Sequence, residues 1–319
     1  MRDRGRRLWG VIALAAGLVI LVGVSGCPEA GLAGQLPPSQ YESPNIGTMR
    51  HVPRGTFQRD ETATNTTRVS AFYMSEHQIT RAQFHAIMGA DPSETGRSTG
   101  MNDPVQNVNW YHAIAFCNKL SIAEDRTPVY SVDGVDWATL VYGDIPSGSR
   151  SADWDAATLD MTANGYRLPT EAEWMWAAMG ATSGHGYDGR GVYTTGWQKV
   201  FAGSRGSNLL GDYAVYWENS GPGGTAAEPR TTRPVGSKLP NELGLYDMSG
   251  NAWDMTWDWH ATYDSGELTN PTGPDSGTHR VLRGGSWRSN AISCTVAYRL
   301  DLIPPFYRYH ASGFRVVTR

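Results

Sequence analysis

Arg280-Val-Leu-Arg-Gly-Gly-Ser-Trp287 and Gly313-Phe-Arg-Val-Val317 close the chain, and the stretch they enclose differs in composition from everything before it. The outer phrases read as framework: a β-forming run ended by two glycines, then a terminal strand. Between Ser289 and Ser312 there is no Lys, Glu, Gln, Met or Trp, although Met, Trp and Glu are plentiful upstream. At this chain's own frequencies such a gap arises by chance about 3 times in 100, so the content has to carry the reading. Tyr298, Phe306, Tyr307, Tyr309 and His310 are interleaved with Ser, Asn, Thr and Asp. Binding loops favour this mix, because rigid amphipathic rings give contact area at low entropic cost and small polar groups give adaptable hydrogen bonds. The competing reading of Leu300-Asp-Leu-Ile-Pro-Pro-Phe306 is an apolar loop packed on the domain; so many bulky residues beside a chain terminus favour an interaction patch.

With 319 residues, 40% hydrophobic and 18% charged, the chain can bury a substantial core. Twelve Trp, fifteen Tyr and 37 Gly describe a loop-rich fold in which large flat rings fill the core where regular elements are short. The formal net charge is -4, and the leader's four Arg against one Asp leave the remainder at about -7. Phosphate affinity needs a basic surface, so no nucleic-acid partner is expected.

The leader has a basic start (Arg2, Arg4, Arg6, Arg7), an apolar run from Leu8 to Val24, and then Val24-Ser-Gly-Cys27. It reads as a secretory signal. Small residues directly before a cysteine resemble a bacterial lipobox, which implies that residues 1–26 are a lipoprotein signal peptide and Cys27 carries the lipid anchor. The alternative, an uncleaved membrane helix, suits a longer run with a basic flank. Residues 27–45, rich in Pro, Gly and Ser, then read as a tether and 46–319 as a single domain. The expected place is the cell envelope, lipid-anchored and exposed at the surface. Pro28, which is no inner-membrane retention Asp, favours the outer membrane. A monomer with an unknown protein or surface ligand is expected.

Three helices have mechanisms. Thr80-Arg-Ala-Gln83 and Thr170-Glu-Ala-Glu173 are capping boxes, starting helices that stop near Gly89 and Gly180. Asn109 caps a third, from Trp110 to about Ala123. Arg68 to Met74, Arg280 to Leu282 and Gly313 to Thr318 read as strands, the last in the central sheet. His51, His77, His85 and His112 read as surface or turn residues, and Cys117 as a buried small hydrophobe.

Six phrases, Gln78-Ile-Thr-Arg-Ala-Gln-Phe84, Pro104-Val-Gln-Asn-Val-Asn-Trp110, Tyr166-Arg-Leu-Pro-Thr-Glu-Ala-Glu-Trp174, Pro240-Asn-Glu-Leu-Gly-Leu-Tyr-Asp-Met-Ser-Gly-Asn-Ala-Trp253, Arg283-Gly-Gly-Ser-Trp287 and Gly313-Phe-Arg315, resemble, in that order, the formylglycine-generating-enzyme (sulfatase-modifying factor) family. The resemblance implies an α+β domain of the C-type lectin fold, loop-rich with little regular structure. It also implies a structural calcium ion on the Asp247 and Asp254 side chains with the Gly250 and Ala252 carbonyls. Asp254 stands where the family has Glu, a shorter reach. The family's oxidase chemistry uses two copper-binding cysteines five residues apart. Cys294 falls on the second position and Ser289 on the first, and a hydroxyl cannot replace a thiolate for copper(I), so neither copper nor catalysis is expected.

Gly284 to Val317 also resembles the variable region of proteins diversified by retroelements, a branch of the same fold class. There, randomised template adenines yield codons ending in C or T, which cannot encode Lys, Glu, Gln, Met or Trp. The resemblance implies a variable region 287–312. Its ligand-facing residues would be Trp287, Ser289, Asn290, Ile292, Ser293, Thr295, Tyr298, Leu300, Asp301, Leu302, Ile303, Pro305, Phe306, Tyr307, Tyr309, His310, Ala311 and Ser312. Ala291, Val296, Ala297, Arg299, Pro304 and Arg308 would be framework. The expected function is ligand binding by a surface lipoprotein; the alternative is an oxidase or a diverged enzyme of the family.

Overall fold

The computed structural model describes residues 38–319 except 185, 187 and 189; Cys27 and the leader lie outside the described residues. Strands β1 (Gln40–Ser43), β2 (Gly47–Val52), β3 (Gly55–Gln58), β4 (Thr66–Val69) and β5 (Phe72–Ser75) come first. After them run β6 (Tyr130–Ser131), β7 (Thr158–Leu159), β8 (Trp253–Trp259), β9 (Leu268–Thr269), β10 (Arg280–Arg283), β11 (Arg299–Leu300), β12 (Ser312–Gly313) and β13 (Val317–Thr318). The α-helices are α1 (Arg81–Met88), α2 (Trp110–Ala123), α3 (Ala152–Asp155), α4 (Glu171–Ala178) and α5 (Leu210–Tyr213). Long stretches of irregular chain join these elements, giving the loop-rich α+β architecture that the sequence implies.

The three expected helices form with the expected caps. The Thr80 and Thr170 hydroxyls accept from the amides three residues on, while Gln83 and Glu173 reach back. Asn109 caps α2, and His112 at the third helical position returns a ring nitrogen to the Asn109 amide. His112 is therefore not a surface residue: it is buried, its ring stacks on Tyr142, and burial lowers its pKa to about 3. Buried α2 carries Trp110, Ile114, Phe116, Cys117 and Leu120 into the main core.

Two four-stranded sheets position the end of the chain, one ordered β1-β2-β5-β13 and the other β11-β10-β8-β12. The strand expected over Gly313 to Thr318 is divided between them: Ser312↔Trp253 and Gly313↔Asp254 pair in parallel, while Val317↔Met74 pairs antiparallel. Arg68 to Met74 is likewise two strands in different sheets, β4 against β3 and β5 against β2. The tether also ends sooner than expected. Gln40–Ser43 pairs with β2, Tyr41 stacks edge-on against Tyr73 at 5.0 Å, and Ser43 donates to Glu124, so the unit begins at Pro38. Among the described residues no helix is long and apolar enough to cross a membrane.

Buried rings hold the central sheet. The Arg280 guanidinium lies 3.6 Å from the Trp110 ring centroid and 3.5 Å from that of Trp259, a cation–π sandwich inside the core. Gly284 and Gly285, with φ of 90° and 80°, end β10 where side chains would collide. A β-carbon on Gly285 would meet the Cys294 sulfur at 2.7 Å, and one on Gly284 the Trp174 ring at 3.0 Å. The ring that Gly284 clears is thus Trp174, on α4.

Candidate functional site

The segment after Gly285 leaves from β10 and returns to the same sheet at β12, so both of its ends are fixed. Between them it is held by its main chain. The Arg283 guanidinium donates to the carbonyls of Val296 (2.8 Å), Ala297 (3.0 Å) and Tyr298. Ser249 donates to the Cys294 carbonyl, and the Val296 amide donates to the Lys199 carbonyl. Pro305 O accepts from the Trp110 amide at 3.0 Å, Phe306 O from the Asn109 side chain at 3.1 Å, and Tyr309 pairs in a bridge with Val108. None of these bonds uses a side chain of the segment, so they survive a change of side chain at its solvated positions. Two framework side chains add to the hold: Arg299 chelates Glu171 at 2.6 and 2.8 Å, and Arg308 reaches the Asn107 carbonyl.

Outward from this anchored main chain stand Asn290, Ile292, Leu302 and Tyr307. Ile292 is 66% exposed, Leu302 68% and Tyr307 50%, so three large apolar side chains of one segment stand in solvent. Ser293, Thr295, Tyr298, Leu300, Asp301, Ile303, Phe306, Tyr309 and His310 are half-buried. Of these, Tyr298, Leu300, Ile303, Phe306 and Tyr309 lean on the main core, with the Tyr298 ring 5.8 Å from Trp253. The apolar loop is thus packed on one side and presented on the other.

Five expected contact residues do not face solvent: Trp287, Ser289, Pro305, Ala311 and Ser312 are buried. The Ser289 hydroxyl is spent in its turn, accepting from the Ser286 amide at 3.0 Å. Ala311 and Ser312 lie against β8, with the Trp253 amide donating to Ala311 O. Trp287 is a floor, with the guanidinium carbons of Arg97 and Arg288 each 5.6 Å from its ring. Conversely, framework Ala291 is exposed.

Several residues at the face fall outside the expected set. Arg288 is exposed and bonds His310 at 2.6 Å. Trp217, 41% exposed, donates its amide to Ser289 O and carries the Arg230 guanidinium 3.5 Å over its ring. These lie in stretches without helical or strand period, so no local pattern pointed to them.

The copper pair is not formed as a pair of thiolates. Cys294 is buried against Ala214 and Tyr216, and burial pushes its thiol up to about 12, far from the anionic form a soft metal takes. With Ser289 hydrogen-bonded in its turn, the donor set does not suit copper(I).

The calcium expectation meets a different obstacle. Asp254 accepts from Arg315 Nε at 2.8 Å and Trp174 Nε1 at 2.9 Å on one oxygen, and from Gln78 Nε2 at 3.1 Å on the other. Gln78 Nε2 also occupies the Ala252 carbonyl at 2.6 Å. Asp247 takes the Gly236 amide, and its burial raises its pKa. A cation here would have to displace a guanidinium, so Asp247, Gly250, Ala252 and Asp254 do not fit a calcium cage. Among the described residues no cluster of His, Cys, Asp and Glu is arranged for a metal ion.

Comparisons with known proteins agree with this fold. The sulfatase-modifying factor enzyme 1-like domain matches residues 35–319. The chain is 32% identical over 239 residues to a chaperone protein LppX of Paenibacillus barcinonensis, covering 72% of this chain and 74% of that one. It is 30% identical over 253 residues to a formylglycine-generating enzyme of Streptomyces coelicolor, covering 73% of each. Among solved structures, Treponema denticola variable protein 1 superposes with a TM-score of 0.73 at 38% identity, covering 88% of this chain and 98% of that one.

Proposed function

The chain belongs to the sulfatase-modifying factor enzyme 1-like family, with the fold of the formylglycine-generating enzymes, and on that premise we propose that it is a ligand-binding protein and not an oxidase. Its binding face is the segment 287–312, diversified at the solvated positions and displayed from a lipid anchor on Cys27 at the cell surface. The observation that carries this reading is the division of labour in the segment: its main chain is tied by residues outside it, while Asn290, Ile292, Leu302 and Tyr307 point into solvent. A scaffold built this way keeps its core whatever those side chains are. The likeness to a treponemal variable protein supports the same reading.

Relatives named formylglycine-generating enzymes favour the second reading, a cysteine oxidase. Against it stand the Ser289 hydroxyl and the buried, protonated Cys294. The ligand is a protein or other surface molecule, and nothing in a diversified face fixes which.

Randomising Asn290, Ile292, Leu302 and Tyr307 with codons ending in C or T, then selecting displayed chains against a purified protein target, tests the proposal. Folded binders whose affinity maps to these four positions support it. A library that mostly fails to fold, or copper-dependent oxidation of a cysteine peptide by the natural chain, overturns it. Labelling with radioactive palmitate, abolished by Cys27→Ser, tests the anchor.

A further inference from the structure

A cavity of about 240 Å³ opens beside β11, apart from the face just described. Phe57, Met175, Trp259, Leu268 and Pro274 give it an apolar lining, and Asp258 and Glu171 contribute carboxylates. The two acids differ in what they have available. Glu171 is saturated: Arg299 holds both of its oxygens, Tyr263 donates to it at 3.0 Å, and Arg283 lies at 3.5 Å. Asp258, 5% exposed, takes one bond, from the Glu171 amide to Oδ2 at 2.8 Å. Among the described residues its Oδ1 has no donor and the carboxyl has no ion pair.

The cations of the cavity are already committed. Arg299 is held by Glu171 and the Ala261 carbonyl, and Arg59 gives its terminal nitrogens to Thr67 and to the carbonyls of Thr66, Asp264 and Gly266. The adjoining lip adds Asp60 and Glu61. An apolar sleeve with one carboxylate oxygen that takes no protein donor and lines the cavity, and an acidic mouth, complements a positive group on a hydrocarbon stem. We propose that this cavity binds an alkylammonium group, carried by a lysine side chain or a free primary amine, with the nitrogen on Asp258 Oδ1 and the stem against Met175, Trp259 and Leu268. The volume accommodates a stem of roughly six heavy atoms.

Proton linkage supports the assignment. Burial, Glu171 and Glu173 push Asp258 up to about 8 against the pull of Arg299, with Arg280 and Arg283 also within reach of its charge. The empty site holds a neutral acid at neutral pH, and an arriving ammonium makes it shed its proton. Asp258, Glu171 and Met175 lie outside 287–312, so the cavity keeps its chemistry whatever the variable positions carry. It is a fixed recognition element beside a variable one, and it does not depend on the diversified-binder reading.

Calorimetry on the full chain at pH 7, with n-hexylamine, 1-hexanol and Nα-acetyl-lysine methylamide in two buffers of different ionisation enthalpy, is the test. At least a tenfold preference for an amine over the alcohol, with proton release, supports the proposal. Comparable binding of the lysine derivative assigns the source to a protein side chain, and binding of hexylamine alone assigns it to a small amine. Asp258→Asn keeps an acceptor for the Glu171 amide and should lose the tenfold preference. Leu268→Trp, which fills the sleeve without touching the acid, should abolish amine binding. Equal affinity for amine and alcohol, no amine binding at all, or a preference that survives both variants, overturns it.

Discussion

Arg283 donates to the Val296 carbonyl at 2.8 Å from a strand that lies outside the segment 287–312. That guanidinium, fully buried, also reaches two further carbonyls and stands 3.5 Å from Glu171, so one side chain from outside shapes the middle of that segment. A lysine places a single ammonium where a planar fork serves several acceptors. Arg283→Lys should therefore lower unfolding free energy by about 3 kcal/mol, the scale for spoiling a buried charged network, as read by urea denaturation. An unchanged midpoint would remove Arg283 from the role given to it.

Solvated and buried positions of the segment should differ sharply in tolerance. Ile292→Ser, Leu302→Asp and Tyr307→Ser should each stay within about 0.5 kcal/mol of the natural chain, as surface substitutions do. Ala311→Tyr and Ser312→Tyr, forced against β8, should destabilise by about 1–3 kcal/mol. Thermal unfolding of the five variants decides it, and equal losses in both groups would contradict the division between face and frame.

Calcium should not matter to the fold. Asp254 is already satisfied by Arg315, Trp174 and Gln78, so added calcium chloride or a chelator should leave the unfolding temperature unchanged. A specific rise on calcium addition would mean that these donors give way to a cation. Arg315→Met, by contrast, should cost about 3–5 kcal/mol, because it strands the buried Asp254 charge.

Between pH 6.5 and 8 stability should fall. Asp258 titrates near 8 in the folded chain and near the ordinary carboxylate value when unfolded, so across this window the folded state holds the extra proton. Rising pH then favours the unfolded state. His112, with a folded value of about 3, acts oppositely: its contribution is lost as pH falls below its ordinary value, a range that ends where this window begins. Asp258→Asn should flatten the slope in denaturation curves taken across the window, and an unaltered slope would assign it to another group.

Most of the frame was legible because it rests on local chemistry. Thr80, Thr170 and Asn109 announce their helices through hydroxyl and amide caps that work over three residues. The segment 287–312 stood out by composition. What composition could not show was which of its side chains point outward, because that follows from long-range partners such as Arg283, Asn109 and Trp253. Ser289 and Ser312 look like any polar loop residue until β8 and the Ser286 turn are placed around them. The surroundings of Asp254 were hidden for a similar reason: its partners Gln78 and Arg315 come from distant parts of the chain. Gln40–Ser43 escaped because an edge strand of polar residues beside a Pro-rich run carries no period.

The central claim is that residues 287–312 vary by mechanism while their frame does not. Deep sequencing of the gene's 3′ end across a population of cells, with its flanking DNA, tests it most directly. The account predicts substitutions concentrated at Asn290, Ile292, Leu302 and Tyr307, drawn from residues encoded by codons ending in C or T, beside a reverse-transcriptase gene and an Asn-rich near-copy of the segment. An invariant segment, or changes spread equally through Trp253 to Arg283, would contradict it.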